Sequence, residues 1–269
     1  MKKTILPVLM SAMFVVPAVS HAENQEAVKQ LAPKTEQAMQ KTGWVKEGNT
    51  WYFYDQNGVK KTGWLKDNGT WYYLNADGAM KSNSWLSDGG KWYYLNADGT
   101  MKTGWLKDKG AWYYLNANGT MKSSANGWNE GWLDEGGKRY FFDDSGAMRT
   151  GKLAEGGTVW YFNPDGSMVT GWELVDGDWY YFDDKTGASH AGWLSYNGKW
   201  YYFYDGPMTT GWVQDNGTWY YMNTDGTMKT GWLQENGTWY YLQSSGAMAT
   251  GKHFIDGKWY SFKDNGAMM

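Results

Sequence analysis

The sequence predicts an all-β protein, a solenoid of stacked β-hairpins built from about eleven repeats of ~20 residues. Three observations predict it. A start motif, usually Gly-Trp, recurs at Gly43, Gly63, Ser84, Gly104, Gly131, Gly151, Gly171, Gly192, Gly211, Gly231 and Gly251. Within each copy two strand-like runs flank residues that tolerate positive φ, as Trp64-Leu65 and Trp71-Tyr72-Tyr73-Leu74 flank Asp67-Asn68-Gly69. Finally, 20 Trp and 21 Tyr among 269 residues, at a mean hydropathy of −0.70, are more rings than one core needs in so polar a chain.

The elements follow in order. Residues 1–22 read as a secretory signal peptide: Lys2 and Lys3 open it, an apolar stretch runs from Ile5 to Val19, and Ser20-His21-Ala22 offers small residues for cleavage. That stretch is short for a membrane span and carries Pro7 and Pro17. The mature chain is expected to begin near Glu23, outside the cytoplasm, with 23 basic and 28 acidic residues. Such a balance offers no basic surface for nucleic acid or anionic lipid. Residues 23–42 form a short polar leader with Pro33 in it, too short to enclose an active site. Residues 43–269 are the repeat solenoid. One longer interval, before Gly131, carries Ser123 to Glu130 and reads as an insertion or kink.

An isolated two-stranded hairpin is marginal in water, and a chain with no Cys has no disulfides to brace it. The repeats must therefore stack. Period-two geometry assigns their faces: with the turn centred on Asp67-Asn68 or on Asn68-Gly69, Trp64, Trp71 and Tyr73 share one face and Leu65, Tyr72 and Leu74 the other. If each unit lays one face near the opposite face of the next, its Trp pair meets the first Tyr of the following unit. That first Tyr of the WYY run reads as present in all eleven units: Tyr52, Tyr72, Tyr93, Tyr113, Tyr140, Tyr161, Tyr180, Tyr201, Tyr220, Tyr240 and Tyr260.

A Trp pair seven residues apart is intact in eight units: Trp44/Trp51, Trp64/Trp71, Trp85/Trp92, Trp105/Trp112, Trp172/Trp179, Trp193/Trp200, Trp212/Trp219 and Trp232/Trp239. The tyrosines they are expected to face are Tyr72, Tyr93, Tyr113, Tyr140, Tyr201, Tyr220, Tyr240 and Tyr260. Three electron-rich faces around a small void favour a cation without N–H donors, such as a quaternary ammonium. A recurring Met before the next unit (Met80, Met101, Met121, Met168, Met208, Met228, Met248) can close a fourth wall. Any single Trp is explained more readily by packing. Eight pairs on one face leave large rings partly exposed, and exposed aromatic surface on that scale marks a binding site.

The unit GW-x6-WYY-x4-G-x-M-x-TGW resembles the choline-binding repeat of pneumococcal and related streptococcal surface proteins, over residues 43–269. The resemblance implies a left-handed β-hairpin superhelix. It also implies choline held between consecutive repeats by two Trp of one hairpin, a Tyr of the next and often a Met. The ligand would be phosphocholine on teichoic and lipoteichoic acids, and the place the bacterial cell wall. Units that depart from the pattern should bind nothing: Arg139 replaces the second Trp of the fifth unit, and Lys152 and Lys252 the first Trp of the sixth and eleventh. Two binding tracts are expected, Gly43 to about Tyr140 and Gly171 to about Tyr260.

Rival functions are weaker. With His21 removed, only His190 and His253 remain, there is no Cys, and the acids sit mainly in turns such as Asp77-Gly78, so no catalytic constellation, metal site or cofactor is called for. Glucan-binding repeats of streptococcal glucosyltransferases and clostridial toxin repeats share the GW and YYF elements, which makes a carbohydrate-binding module the alternative. The second Trp before YY, with the following GAM or GTM, favours choline. The sequence is also compatible with a surface adhesin, whose host partner no motif names, and with a homodimer.

Overall fold

Ten of the eleven hairpins bend at two residues with positive φ, and in the first only Gly48 of the Gly48-Asn49 turn has it. The repeats are numbered 1 to 11 from the starts given above. In repeat 2, strands Gly63–Asp67 and Thr70–Leu74 pair antiparallel with Asp67 opposite Thr70, which leaves Asn68 (φ 46°) and Gly69 (φ 85°) as the bend. Positive φ at both central residues is a type I′ turn, whose twist matches that of the strands it joins. The register thus settles on Asn68-Gly69 as the turn centre and leaves Trp64, Trp71 and Tyr73 on one face, as read from the sequence.

The computed structural model describes residues 40–269, and Thr42–Met269 forms one unit of eleven such hairpins. The expected signal segment, 1–22, and the leader up to residue 39 lie outside the described residues. Each hairpin is its own two-stranded sheet, and none of these sheets includes a strand of another repeat. No helix among the described residues is long and apolar enough to cross a membrane.

What joins the repeats is a linker and a column of apolar side chains. After Leu74, the Gly78 N–H donates to the Asn75 carbonyl and the Ala79 N–H donates to Asp77 Oδ1 (2.9 Å), and Met80 returns to bridge Leu74. The Met80 N–H then donates back to the Trp51 carbonyl of repeat 1 at 2.8 Å. The same bond ties Met101 to Trp71, Met121 to Trp92 and Met228 to Trp200. The last strand residue of most repeats (Leu74, Leu95, Leu115, Phe162, Phe182, Phe203, Met222, Leu242, Phe262) is almost wholly buried, as is Phe142 just after the strand in repeat 5, and with the less buried Tyr54 of repeat 1 they form the core of the stack.

The insertion before repeat 5 makes two short 3-10 turns, Ser124–Asn126 and Trp128–Gly131. Trp128 packs on Phe141 (4.4 Å between centroids) and Trp160 (5.1 Å), covering the apolar side of repeats 5 and 6. Repeat 6 corrects one expectation. Lys152 pairs with Tyr161 and Leu153 with Trp160, so Tyr161 stands at the second-Tyr position and Trp160 holds the first. Val159, opposite Ala154, takes the place of the second Trp. The first Tyr is therefore present in ten repeats and replaced by Trp in the sixth.

Leu95→Ala should remove a fully buried side chain and lower stability by about 2–5 kcal/mol. Leu174→Ala, on the exposed side of repeat 7, should change it by less than about 1 kcal/mol. Urea titration of both variants beside the parent checks the contrast.

Candidate functional site

Each hairpin turns one ring-bearing face toward the next. In repeat 2, Trp64 stands opposite Tyr73 and packs edge-on against it at 5.3 Å. Trp64 also meets Tyr93 of repeat 3 at 4.8 Å. The same contact recurs wherever the sequence predicts it: Trp44–Tyr72, Trp85–Tyr113, Trp105–Tyr140, Trp172–Tyr201, Trp193–Tyr220, Trp212–Tyr240 and Trp232–Tyr260 have centroids 4.7–4.9 Å apart. In six of the eight pairs the second Trp packs edge-on to the first at 74–90°, as Trp64–Trp71 at 6.2 Å and 90° and Trp232–Trp239 at 6.1 Å and 87°. All eight second tryptophans keep 39–47% of their surface exposed, so they form an open wall rather than core.

The walls come from three repeats, not two. Trp64, Trp71, Tyr93 and Met101 line a cavity of about 340 Å³ together with Ala117 and Asn118 from the linker of repeat 4. Trp193, Trp200, Tyr220 and Met228 line one of about 180 Å³ with Ser245 from the linker of repeat 10. The Met–Trp backbone bond decides which Met serves which pair: Met80, Met101, Met121, Met208, Met228 and Met248 stand beside Trp51, Trp71, Trp92, Trp179, Trp200 and Trp219. Met148 and Met268, which the sequence reading passed over, stand beside Trp112 and Trp239, whereas Met168 stands beside Arg139. Each of these thioethers except that of Met268 lies against the linker glycine of the following repeat. A Cβ at Gly119 (φ 83°) would come within 2.2 Å of the Met101 sulfur, so that glycine is required by space as well as by conformation.

Carboxylates orient the first tryptophans. The Trp64 indole N–H donates to Asp88 Oδ2 at 3.0 Å, and Trp44, Trp85 and Trp193 donate likewise to Asp67, Asp108 and Asp215. Glu135 and Glu235 accept from Trp105 and Trp212. Each acid is the last strand residue before the turn of the next repeat, and the sequence reading took such residues for turn formers only. Their signal was a period: an acid three residues after most first tryptophans. The lock fixes one ring and leaves a negative charge behind it. Burial, and then the bond to Glu135, push the Tyr114 hydroxyl above its ordinary pKa, so it stays protonated and donates to that carboxylate. Burial followed by the Glu235 charge does the same for Tyr221.

Ring centroids this close allow one cation to lie within about 6 Å of three faces, with a polarizable thioether beside it. Matches to the choline-binding repeat family model cover residues 41–85, 87–128, 130–169, 156–190, 169–208, 209–253 and 229–269, nearly all of the described chain. The chain belongs to the choline-binding repeat family. Among solved structures it is similar to CbpJ from Streptococcus pneumoniae TIGR4, at 31% identity over 85% of this chain and 94% of that one, with a TM-score of 0.61. It is similar to choline binding protein F from Streptococcus pneumoniae, solved in the presence of a peptidoglycan analogue: 33% identity, 85% and 92% covered, TM-score 0.58. The modular autolysin LytC from Streptococcus pneumoniae matches at 26% identity and a TM-score of 0.59 over 85% of this chain, which spans 52% of LytC. No curated relative matches.

Within this choline-binding repeat stack, three junctions hold a cation of the chain itself. The Arg139 guanidinium lies 4.8 Å over Trp132, with Nε 3.3 Å from Asp134 and Nη1 donating to the Lys185 carbonyl. Lys152 Nζ lies 5.3 Å over Tyr180 and donates to its hydroxyl. At the first repeat, Lys60 occupies the Met position and sets its ammonium 3.3 Å over Tyr52, bonded to Glu47 at 3.2 Å. Desolvation pulls the Lys60 pKa down, but Glu47, Tyr54 and Tyr52 together raise it above its ordinary value, so the charge is kept.

Asp88→Ala should free the Trp64 indole and weaken choline binding at that junction about two- to tenfold, the worth of one hydrogen bond. Asp88→Asn keeps an acceptor without the charge and should stay within about twofold of the parent. Choline titration followed by the Trp64 indole N–H resonance separates the two, and an Asn variant as weak as Ala would assign the effect to charge rather than orientation.

Proposed function

We propose that the protein attaches noncovalently to the bacterial cell surface by holding the phosphocholine groups of teichoic and lipoteichoic acids in eight aromatic cages. Each cage takes the Trp pair of one repeat, the first Tyr of the next, and the Met that follows it. The observation that carries this is the recurrence of one Trp–Tyr contact between repeats at all eight junctions where the Trp pair is intact. The domain reading that goes with it is a signal peptide at 1–22, a leader at 23–42 and the binding solenoid at 43–269. An additional role as a surface adhesin is compatible with this reading.

Affinity arithmetic supports attachment by number rather than by strength. Each ring contributes about 0.5–2 kcal/mol, so one cage holds free choline at about millimolar affinity. A polymer carrying many cholines engages further cages at high effective concentration after the first contact. A tertiary-amine resin that mimics choline should retain the protein. Millimolar choline should release it, high salt should release it poorly, and dextran should not, because the contacts are neither surface ion pairs nor sugar stacking. Release by dextran and not by choline would favour the glucan-binding alternative.

Replacing the half-exposed Trp71, Trp112, Trp200 and Trp239 with Ala should leave the fold intact and lower retention on choline-bearing walls by more than tenfold. A folded variant that stays bound as tightly as the parent would show that multiple cages are not what holds it. Crystals soaked in choline should show the ligand in both tracts and none beside Arg139 or Lys152.

A further inference from the structure

The cages are not alike on their exposed side. The residue opposite the second Trp shares the cage face, and in repeats 1, 2 and 4 it is a lysine: Lys46 opposite Trp51, Lys66 opposite Trp71, Lys107 opposite Trp112. Their ammonium groups lie 5.9, 5.6 and 5.5 Å from those ring centroids. All three are exposed, and no carboxylate among the described residues lies within ion-pair distance of them. Repeat 3 has Ser87 at this position. In the C-terminal tract the position carries no charge: Leu174, Ser195, Gln214 and Gln234.

A lysine beside a cage for a cation is unfavourable if the ligand is only a cation, since like charges repel. It becomes favourable if the ligand carries an anion next to its cation. In phosphocholine four bonds of roughly 1.5 Å separate nitrogen from phosphorus, so the phosphate lies no more than about 6 Å from the caged ammonium. A nitrogen held within about 6 Å of the second Trp centroid therefore leaves its phosphate within reach of the flexible lysine stem across the strand. We infer that Lys46, Lys66 and Lys107 read the phosphate. The N-terminal tract thereby selects phosphocholine over choline, while the C-terminal tract takes the quaternary ammonium without regard to what it is attached to. This rests on the cage reading above and adds a specificity-determining residue to three of the cages.

The experiment titrates the full chain with choline chloride and, separately, with phosphocholine at equal ionic strength. The parent is compared with the triple variant Lys46→Gln/Lys66→Gln/Lys107→Gln. Glutamine stands at this position in repeats 9 and 10, so the hairpin accepts it. Calorimetry and indole resonances of the N-terminal tract are the readouts. The triple variant should lose about two- to fivefold in phosphocholine affinity at these sites, the range of an exposed charge pair. Its choline affinity should stay unchanged or rise slightly, and the parent's preference should shrink as salt is added. The converse variant, Gln214→Lys/Gln234→Lys, should gain the preference. Equal loss for both ligands would overturn the inference and leave the lysines as packing for the indole face, and an unchanged phosphocholine affinity would overturn it too. A parent that binds neither ligand would overturn the cage reading itself.

Discussion

Eleven hairpins that share no sheet must be held together by something other than strand pairing. The structure supplies one recurring backbone hydrogen bond, from the linker Met N–H of one repeat to the second-Trp carbonyl of the repeat before it. A single such bond contributes only about 0.5–1.5 kcal/mol net, so it gives register more than stability. Stability comes from the buried column of Leu and Phe at the end of each second strand and from the first Trp wedged between its own Tyr and the next. Everything that defines a cage follows from that bond. It brings the second Trp, the Met and the first Tyr of adjacent repeats to one place, and the acid before the next turn then holds the first indole upright.

Because the contacts that stack the repeats also wall the cages, structure and binding are not separable residue by residue. The two tryptophans divide the labour. The first is half-buried, hydrogen-bonded and packed on two tyrosines, so its removal damages the stack. The second is exposed on one side and contributes its carbonyl to the fold and its ring to the cavity. Met follows the same logic, with a backbone that joins repeats and a thioether that fits only because the next linker has Gly at a positive-φ position. The third-repeat contribution from Ala117-Asn118 or Ser245 means that these two cages draw their walls from both following repeats.

Much of this was legible in the sequence, because the physics is local and periodic. Turn residues that tolerate positive φ and period-two alternation set the hairpin and the shared face of Trp64, Trp71 and Tyr73, while the exact register, open between two turn centres in the sequence, came from the structure. Matching that face to the next repeat then named the three rings. Repeat 6 was misread because Val159-Trp160-Tyr161-Phe162 looks like a WYY run slipped by one. Only pairing from Gly151 shows that Trp160 stands where tyrosine does elsewhere. Two features had weaker signals. The carboxylates that orient indoles are also good turn residues, which hid their second role. The linker of the repeat after next cannot be placed by a pattern that says which unit follows but not how far each step advances the stack.

The junctions that depart from the pattern show what the others require. Where a ring is missing or no repeat precedes, the chain places a cation of its own against the ring that remains: Arg139 on Trp132, Lys152 on Tyr180, Lys60 on Tyr52. Two of these cations are bound to a carboxylate as well, Arg139 to Asp134 and Lys60 to Glu47, and Glu47 stands in the position whose equivalents orient the indoles elsewhere. A neutral apolar side chain would fill the same space, and at Val159 and Ser189 small residues do close part of one junction. Basic side chains at three separate junctions, each over an aromatic face, indicate that the gap between repeats is electrostatically negative as well as apolar. At the eight intact junctions the rings are complete, and at three of them an exposed lysine, Lys46, Lys66 or Lys107, lies 5.5–5.9 Å from the second Trp. On the proposed reading those walls take their cation from outside, and a quaternary ammonium, which asks for no hydrogen bonds, is one they can satisfy.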